Sequence, residues 1–173
     1  MTISREVLGK YLKPGMSFIE TGTRWGDGCV RAADLGAAEI YTCESDFLMK
    51  GLADAHMRDT ILRAKYSVYC LDSPKFLREV SSRKASGNCV VALDAHDSNQ
   101  SPLLEELEAI QEWQNEHGVA WKPKVILIDD MCSMEYWHID FEDIHNRLQA
   151  IGDHDGIWED GRRERDIYAA VYA

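Results

Sequence analysis

The feature that most constrains this chain is its rhythm. Strand-length apolar runs alternate with helix-period patterns from one end of the sequence to the other. Met16–Thr23 (MSFIETGT), Glu39–Glu44 (EIYTCE), Tyr66–Leu71 (YSVYCL), Cys89–Leu93 (CVVAL) and Lys124–Ile128 (KVILI) read as strands. KVILI shows no polar alternation, which is the pattern of a strand covered on both faces. Helical spacing fills the gaps. Asp27–Leu35 is one such segment, and Phe47–Met57 follows a capping Asp46. Two more open on Ser73-Pro74 and Ser101-Pro102, each an N-cap followed by a proline suited to the first helical position. In the second of these Leu103, Leu107 and Ile110 keep helical spacing, and Glu105 and Glu106 sit near the positive helix end. A further helix follows Asp140, with Phe141, Ile144, Leu148 and Ile151 on one side. A short leading helix places Ile3, Val7, Leu8 and Leu12 on one face.

Such alternation implies a parallel sheet with helices on both faces. Two late strands, Gly156–Glu159 and Ile167–Tyr172, flank the turn Asp160-Gly161-Arg162. Residues 160–166 are too few for a helical crossover, so they turn a hairpin and the last strand runs antiparallel. The expected fold is α/β: three layers around a seven-stranded sheet, mostly parallel with an antiparallel last strand. The 173 residues suit one domain, and no linker, repeat or low-complexity segment divides residues 1–173.

Charge and cysteine usage narrow the function classes. The net charge is −11 and the basic residues are scattered, which speaks against a nucleic-acid partner. No run of eighteen apolar residues suggests a membrane span, and MTISREVLGKYLKPG lacks a signal-peptide core. Cys29, Cys43, Cys70, Cys89 and Cys132 are odd in number and form no CxxC pair. Cys43, Cys70 and Cys89 fall in segments read as buried strands. They read as small apolar fillers in a reducing compartment, and a cytoplasmic protein is expected.

In an open α/β sheet, ligands bind outside the carboxyl ends of the strands. Polar residues gather there. The first strand runs into Glu20-Thr21-Gly22-Thr23-Arg24-Trp25-Gly26-Asp27-Gly28, and the second ends on Glu44. The third ends on Asp72-Ser73, the fourth on Asp94-Ala95-His96-Asp97, and the fifth on Asp129-Asp130. Gly22, Gly26 and Gly28 let the backbone approach a ligand and offer amide donors near a helix start. Their G-x3-G-x-G spacing is not the G-x-G-x-x-G of dinucleotide sites. Glu44, 22 residues beyond Gly22, is placed to accept hydrogen bonds from ribose hydroxyls.

In this order, these residues resemble class I S-adenosylmethionine (SAM)-dependent methyltransferases, whose fold is Rossmann-like. Glu20-Thr21-Gly22-Thr23 with Gly26 and Gly28 is similar to their first motif, Glu44 to the ribose-binding acid, and Asp72-Ser73 to the adenine-contacting position. The layout is nearest to metal-dependent, macrocin-type O-methyltransferases. There an Asp-x-Asp follows strand four and an Asp-Asp pair ends strand five. The resemblance implies Mg²⁺ at Asp94, Asp129 and Asp130, and a base where this chain carries His96. It implies a cofactor-binding set of Glu20, Thr21, Gly22, Thr23, Gly26, Gly28, Glu44, Asp72, Ser73 and Asp94, and catalysis by His96 with Asp94. His96 in place of Asp departs from the family, but a neutral His takes a hydroxyl proton equally well.

Two function classes stay open on this reading. One is methyl transfer from SAM to a small hydroxylated acceptor. The other is a SAM- or nucleotide-binding domain without methyl transfer, acting as a binding or interaction protein. A nicotinamide-dependent enzyme is disfavoured by the glycine spacing. Tyr136, Trp137 and His138 are candidates to line an acceptor pocket, and Trp25 to stack on a ligand. Trp113 and Trp121 read as packing at a helix rim. The acceptor and the oligomeric state are not written in the sequence.

Overall fold

The computed structural model describes residues 3–83, 87–96, 99–117, 122–161 and 163–173. Asp97, Trp121 and Arg162, singled out above, lie outside the described residues. Strands and helices follow one another as α1 (Arg5–Tyr11), β1 (Ser17–Thr21), α2 (Asp27–Asp34), β2 (Glu39–Cys43), α3 (Phe47–Thr60), β3 (Lys65–Tyr69) and α4 (Ser73–Arg83). They continue as β4 (Cys89–Leu93), α5 (Leu103–His117), β5 (Val125–Ile128), α6 (Phe141–Ile151), β6 (His154–Glu159) and β7 (Ile167–Tyr172), with a 3₁₀ turn at Met131–Ser133.

The seven strands form one sheet in the order β3-β2-β1-β4-β5-β7-β6. β3, β2, β1, β4 and β5 pair in parallel, while β7 runs antiparallel to both β5 and β6. This is the expected mostly parallel sheet with an antiparallel last strand. The chain steps outward from β1 to β3, then returns to lay β4 on the other side of β1. The carboxyl ends of β1 and β4 therefore flank a topological switch point, where an open α/β sheet leaves a crevice.

Strand periodicity divides the core between the two faces. Ile19, Val91 and Ile126 meet Phe76 and Leu77 of α4, Leu107 and Ile110 of α5, and Ile144 and Leu148 of α6. Phe18, Val90 and Leu127 meet Val7 and Leu8 of α1, Cys29 and Ala32 of α2, and Met57 of α3. The central strands are buried on both sides, which is why CVVAL and VILI carry no polar alternation. Edge strand β3 is only half-buried.

Caps set where the helices begin. Asp46 accepts hydrogen bonds from the amides of Leu48 and Met49, and Asp140 accepts from Glu142. α4 differs from expectation. Its cap is Asp72, whose Oδ1 accepts from the Lys75 amide at 3.1 Å, so Ser73 already belongs to the helix. β3 ends at Tyr69, two residues earlier than YSVYCL suggested, and Cys70 is exposed beyond it. The expected burial of Cys70 is thus corrected: it follows the strand instead of lying in it. Trp113 is also corrected. It is 1% exposed, not at a rim, and its indole N–H donates to the Leu77 carbonyl at 2.9 Å, joining α5 to α4.

Candidate active site

The crevice at the β1/β4 switch point is a cavity of about 940 Å³. Its wall includes Gly22 after β1, Glu44 after β2, Asp72 and Ser73 after β3, and Asp94 and His96 after β4. Six of the residues singled out by sequence thus reach one cavity. Its volume is in the range of a small-molecule or cofactor site.

Gly22 has φ +75°, and a Cβ there would lie 2.5 Å from the Asp94 carbonyl oxygen. Only glycine lets the ends of β1 and β4 close this tightly. Gly26 and Gly28 have other duties. Gly26 starts α2 at φ +84°, and a Cβ there would meet Met57 of α3 at 2.8 Å. Gly28 is buried within α2. Neither lines the cavity. Thr23 is also turned away, bonded through its hydroxyl to Thr42 and through its amide to the Cys43 carbonyl.

Glu44 organises the mouth. Its Oε2 accepts from the Arg24 amide and its Oε1 from the Asp46 amide, both at 3.0 Å. One carboxylate therefore holds the glycine loop and the start of α3 in register. Each oxygen keeps a second lone-pair site for a ligand hydroxyl. Asp72 is more committed: Lys75 Nζ lies 2.7 Å from its Oδ2, and this lysine holds its carboxyl below the usual range.

Beneath the cavity lies a set of buried acids. Glu20 is 1% exposed, and burial pushes its carboxyl up to about 8 although the Cys29 thiol donates to it. Burial, with Asp129, Glu20 and Asp130 nearby, holds the Asp94 carboxyl far above the usual range. Burial raises Asp129 to about 6. Glu106 is likewise buried, and burial pushes it to about 7 while the Ser73 and Thr21 side chains draw it down. Sequence reasoning took Glu106 for a helix-end charge. The missed signal was its place on the apolar stripe, three residues after Leu103 and four before Ile110.

At the β4–β5 side, His96 Nε2 lies 2.8 Å from Asp130 Oδ2 and 3.8 Å from Asp94 Oδ1. Trp137 packs against the imidazole with ring centroids 4.8 Å apart. Tyr136 is exposed, and His138 takes a left-handed φ of 56°. Asp94, His96 and Asp130 offer ligand atoms that all lie within 4.8 Å of one another. Asp129 is differently employed. Its Oδ1 accepts from the Asp130 amide at 2.9 Å, a turn stabilised while Asp130 adopts a left-handed φ of 54°. The converging set is therefore two aspartates and a histidine, in place of the expected three aspartates.

The sheet order and the switch-point cavity define a Rossmann-like α/β fold. No protein-family model and no curated protein matches the chain. Solved structures do. Magnesium protoporphyrin IX methyltransferase from Synechocystis PCC 6803, with bound SAM, is 14% identical at a TM-score of 0.61, over 98% of this chain and 78% of that one. An O-methyltransferase from Bacillus cereus, in complex with SAH, is 16% identical at 0.60, over 97% and 78%. An rRNA methylase from Streptococcus thermophilus is 12% identical at 0.59, over 96% and 92%. At these identities the likeness is one of fold.

Proposed function

We propose that this chain is a SAM-dependent methyltransferase that methylates an oxygen of a small hydroxylated acceptor. The observation that carries the reading is one cavity walled by Glu44 and Asp72-Ser73 and also by His96, whose imidazole pairs with Asp130. The donor set fits the cofactor. Glu44 offers oxygens to ribose hydroxyls, Asp72-Ser73 faces the adenine position, and Asp94 beside Gly22 suits the amino-acid end. Glu20, Thr21, Thr23, Gly26 and Gly28 shape this wall from behind. When bound, SAM supplies an electrophilic methyl group.

The chain's own residues do the rest. An Asp carboxylate accepts hydrogen bonds, so His96 Nε2–H donates to Asp130 and Nδ1 keeps its lone pair. That nitrogen takes the acceptor's hydroxyl proton as the oxygen becomes nucleophilic. Asp130 fixes the tautomer and stabilises the imidazolium. The cavity walls hold the acceptor oxygen in line, which is largely a positioning effect. The net charge of −11 favours a small acceptor over a nucleic acid, although an rRNA methylase shares the fold.

The convergence of Asp94, His96 and Asp130 favours a second reading of that corner, a divalent cation such as Mg²⁺. The two carboxylates suit Mg²⁺ or Mn²⁺, the imidazole draws the site toward a softer transition metal, and a divalent ion there would lower the cost of an acceptor alkoxide. Calorimetry with SAH, followed by methyl transfer from labelled SAM to catechols and other hydroxylated small molecules with and without Mg²⁺, tests the proposal. Absence of SAH binding overturns it. Binding without transfer to any acceptor favours a non-catalytic SAM-binding domain.

A further inference from the structure

α3 carries apolar side chains on its solvent side. The helix buries Ala53 and Met57. At 3.6 residues per turn the opposite side presents Leu48, Gly51, Leu52 and Ala55, with Phe47 beside them in the first turn. A surface helix normally reserves that stripe for polar residues. Here Phe47 and Leu48 are each 74% exposed and Leu52 is 50% exposed. Asp46 fixes them there, because its side chain accepts from the amides of Leu48 and Met49. Trp25 is 49% exposed and stands outside the cavity wall, on a loop whose next residue, Gly26, lies against Met57 of α3. A contiguous exposed apolar patch marks a contact surface.

Gly51 indicates what covers the patch. A Cβ at Gly51 would touch nothing within 4 Å among the described residues, and the residue has no left-handed φ. The fold of one chain gives no reason for a glycine there, and glycine weakens a helix interior. A second helix gives one. The rows Leu48–Leu52 and Gly51–Ala55 lie side by side at i, i+4 spacing, one a ridge and the other a groove. Such a face is self-complementary: under a two-fold axis each copy's leucines enter the other's Gly51–Ala55 groove. Charge agrees. The chain carries −11, which repels a second copy, yet within α3 Lys50 and Arg58 balance Asp54 and Asp59. We propose that this face is the interface of a homodimer in which α3 crosses α3 at Gly51. Covering Phe47, Leu48 and Leu52 in both copies, with Trp25 at the margin, removes on the order of 1,000 Å² from water, the lower bound for a stable pair.

Sedimentation equilibrium of the full chain, run from low to high micromolar protein, tests this interface. Wild type should approach twice the mass of one chain. Leu48→Glu and Leu52→Glu should each weaken association at least about tenfold, by placing a charge in a dry contact. Gly51→Leu should weaken it as well while leaving the fold intact, since leucine suits a helix and has room in the single chain. Far-UV circular dichroism checks that the variants fold. Ile157→Glu, on the exposed edge strand β6, is the counter-test and should leave the mass unchanged. A wild type that stays monomeric at high micromolar concentration overturns the inference, including one that sediments with phosphatidylcholine vesicles through the same leucines. A dimer that survives Leu48→Glu, Leu52→Glu and Gly51→Leu, or that only Ile157→Glu breaks, overturns it too.

Discussion

His96 Nε2 and Asp130 Oδ2 lie 2.8 Å apart and link the segments that follow β4 and β5. Trp137 packs beside the imidazole at a tilt of 38°. On the proposed function, this pairing orients the ring for a proton transfer.

The proposed role of this pair predicts a specific loss. His96→Ala should lower kcat for methyl transfer by about 10²–10⁴-fold, the usual contribution of a general base. Asp130→Asn should cost less, roughly 10–100-fold, because the ring stays but its orienting charge goes. Stopped or quenched transfer assays read both. A kcat within twofold of wild type in His96→Ala would remove His96 from the chemistry.

Glu44 holds two backbone amides and is proposed to hold the ribose. Glu44→Ala should weaken SAH binding by about 1–3 kcal/mol, the cost of leaving such donors without their acceptor. Titration calorimetry measures it directly. Unaltered affinity would place the ribose elsewhere along the crevice.

Gly22→Ala should be severe for a different reason. The residue sits at φ +75° and its new Cβ would press on the Asp94 carbonyl oxygen. A strained left-handed alanine costs about 1–3 kcal/mol before the clash is counted. Chemical denaturation should show that loss, together with weakened SAH binding as the β1 and β4 ends are pushed apart. A variant as stable as wild type would contradict the close approach.

Glu20 predicts a pH dependence of stability. Burial raises its carboxyl from 4.5 to about 8, so the folded chain holds this proton more tightly than the unfolded one. The stabilising share from this group is complete below about pH 4.5 and is lost as pH rises through 8. The loss reaches about 5 kcal/mol at roughly 1.36 kcal/mol per unit. Thermal melts of the ligand-free protein should fall between about pH 5 and pH 8 and level off above, and Glu20→Gln should flatten that fall. Parallel pH profiles for the two proteins would reject the assignment.

The corner of Asp94, His96 and Asp130 yields a prediction for divalent cations. Burial and the neighbouring acids hold the Asp94 carboxyl far above the usual range, and a cation would offset the repulsion that its ionisation adds. Millimolar Mn²⁺ or Mg²⁺ should raise the melting temperature of wild type and not of Asp94→Asn or Asp130→Asn. Asp129→Asn should retain most of the effect, because that carboxylate serves the Asp130 turn. No shift in wild type would leave the His–Asp pair as the sole reading.

Much of this architecture was legible because parallel strands covered on both faces have to be written as continuous apolar runs. CVVAL occupies β4 from its first residue to its last. Strand ends were legible too, since a polar residue closing such a run marks where the sheet stops. That placed Glu44, Asp72, Asp94 and His96 on one cavity. What stayed hidden depends on backbone angles and on depth. Nothing in the pair Asp129-Asp130 reveals that the second residue is left-handed, which turns the first carboxylate into the turn's own acceptor. Gly26 looked like a ligand-binding glycine, yet a Cβ there would meet Met57 of α3, and Gly28 lies buried within α2. Glu106 was misread because a helix-end acid has a ready surface explanation.

β7 has a further consequence, for the order in which the molecule can be assembled. Residues 167–172 pair with β5 on one side and with β6 on the other. Until they arrive, β5 has an open flank and β6 has no neighbour within the sheet at all. The strand reached last in sequence order is thus an interior one, and both flanking strands wait for it. A chain halted before β7 would carry a bare, apolar Val125–Ile128 edge, a template for pairing with another molecule. The hairpin turn before β7 therefore governs self-association as well as shape: any change that slows its closure lengthens the time that edge is exposed.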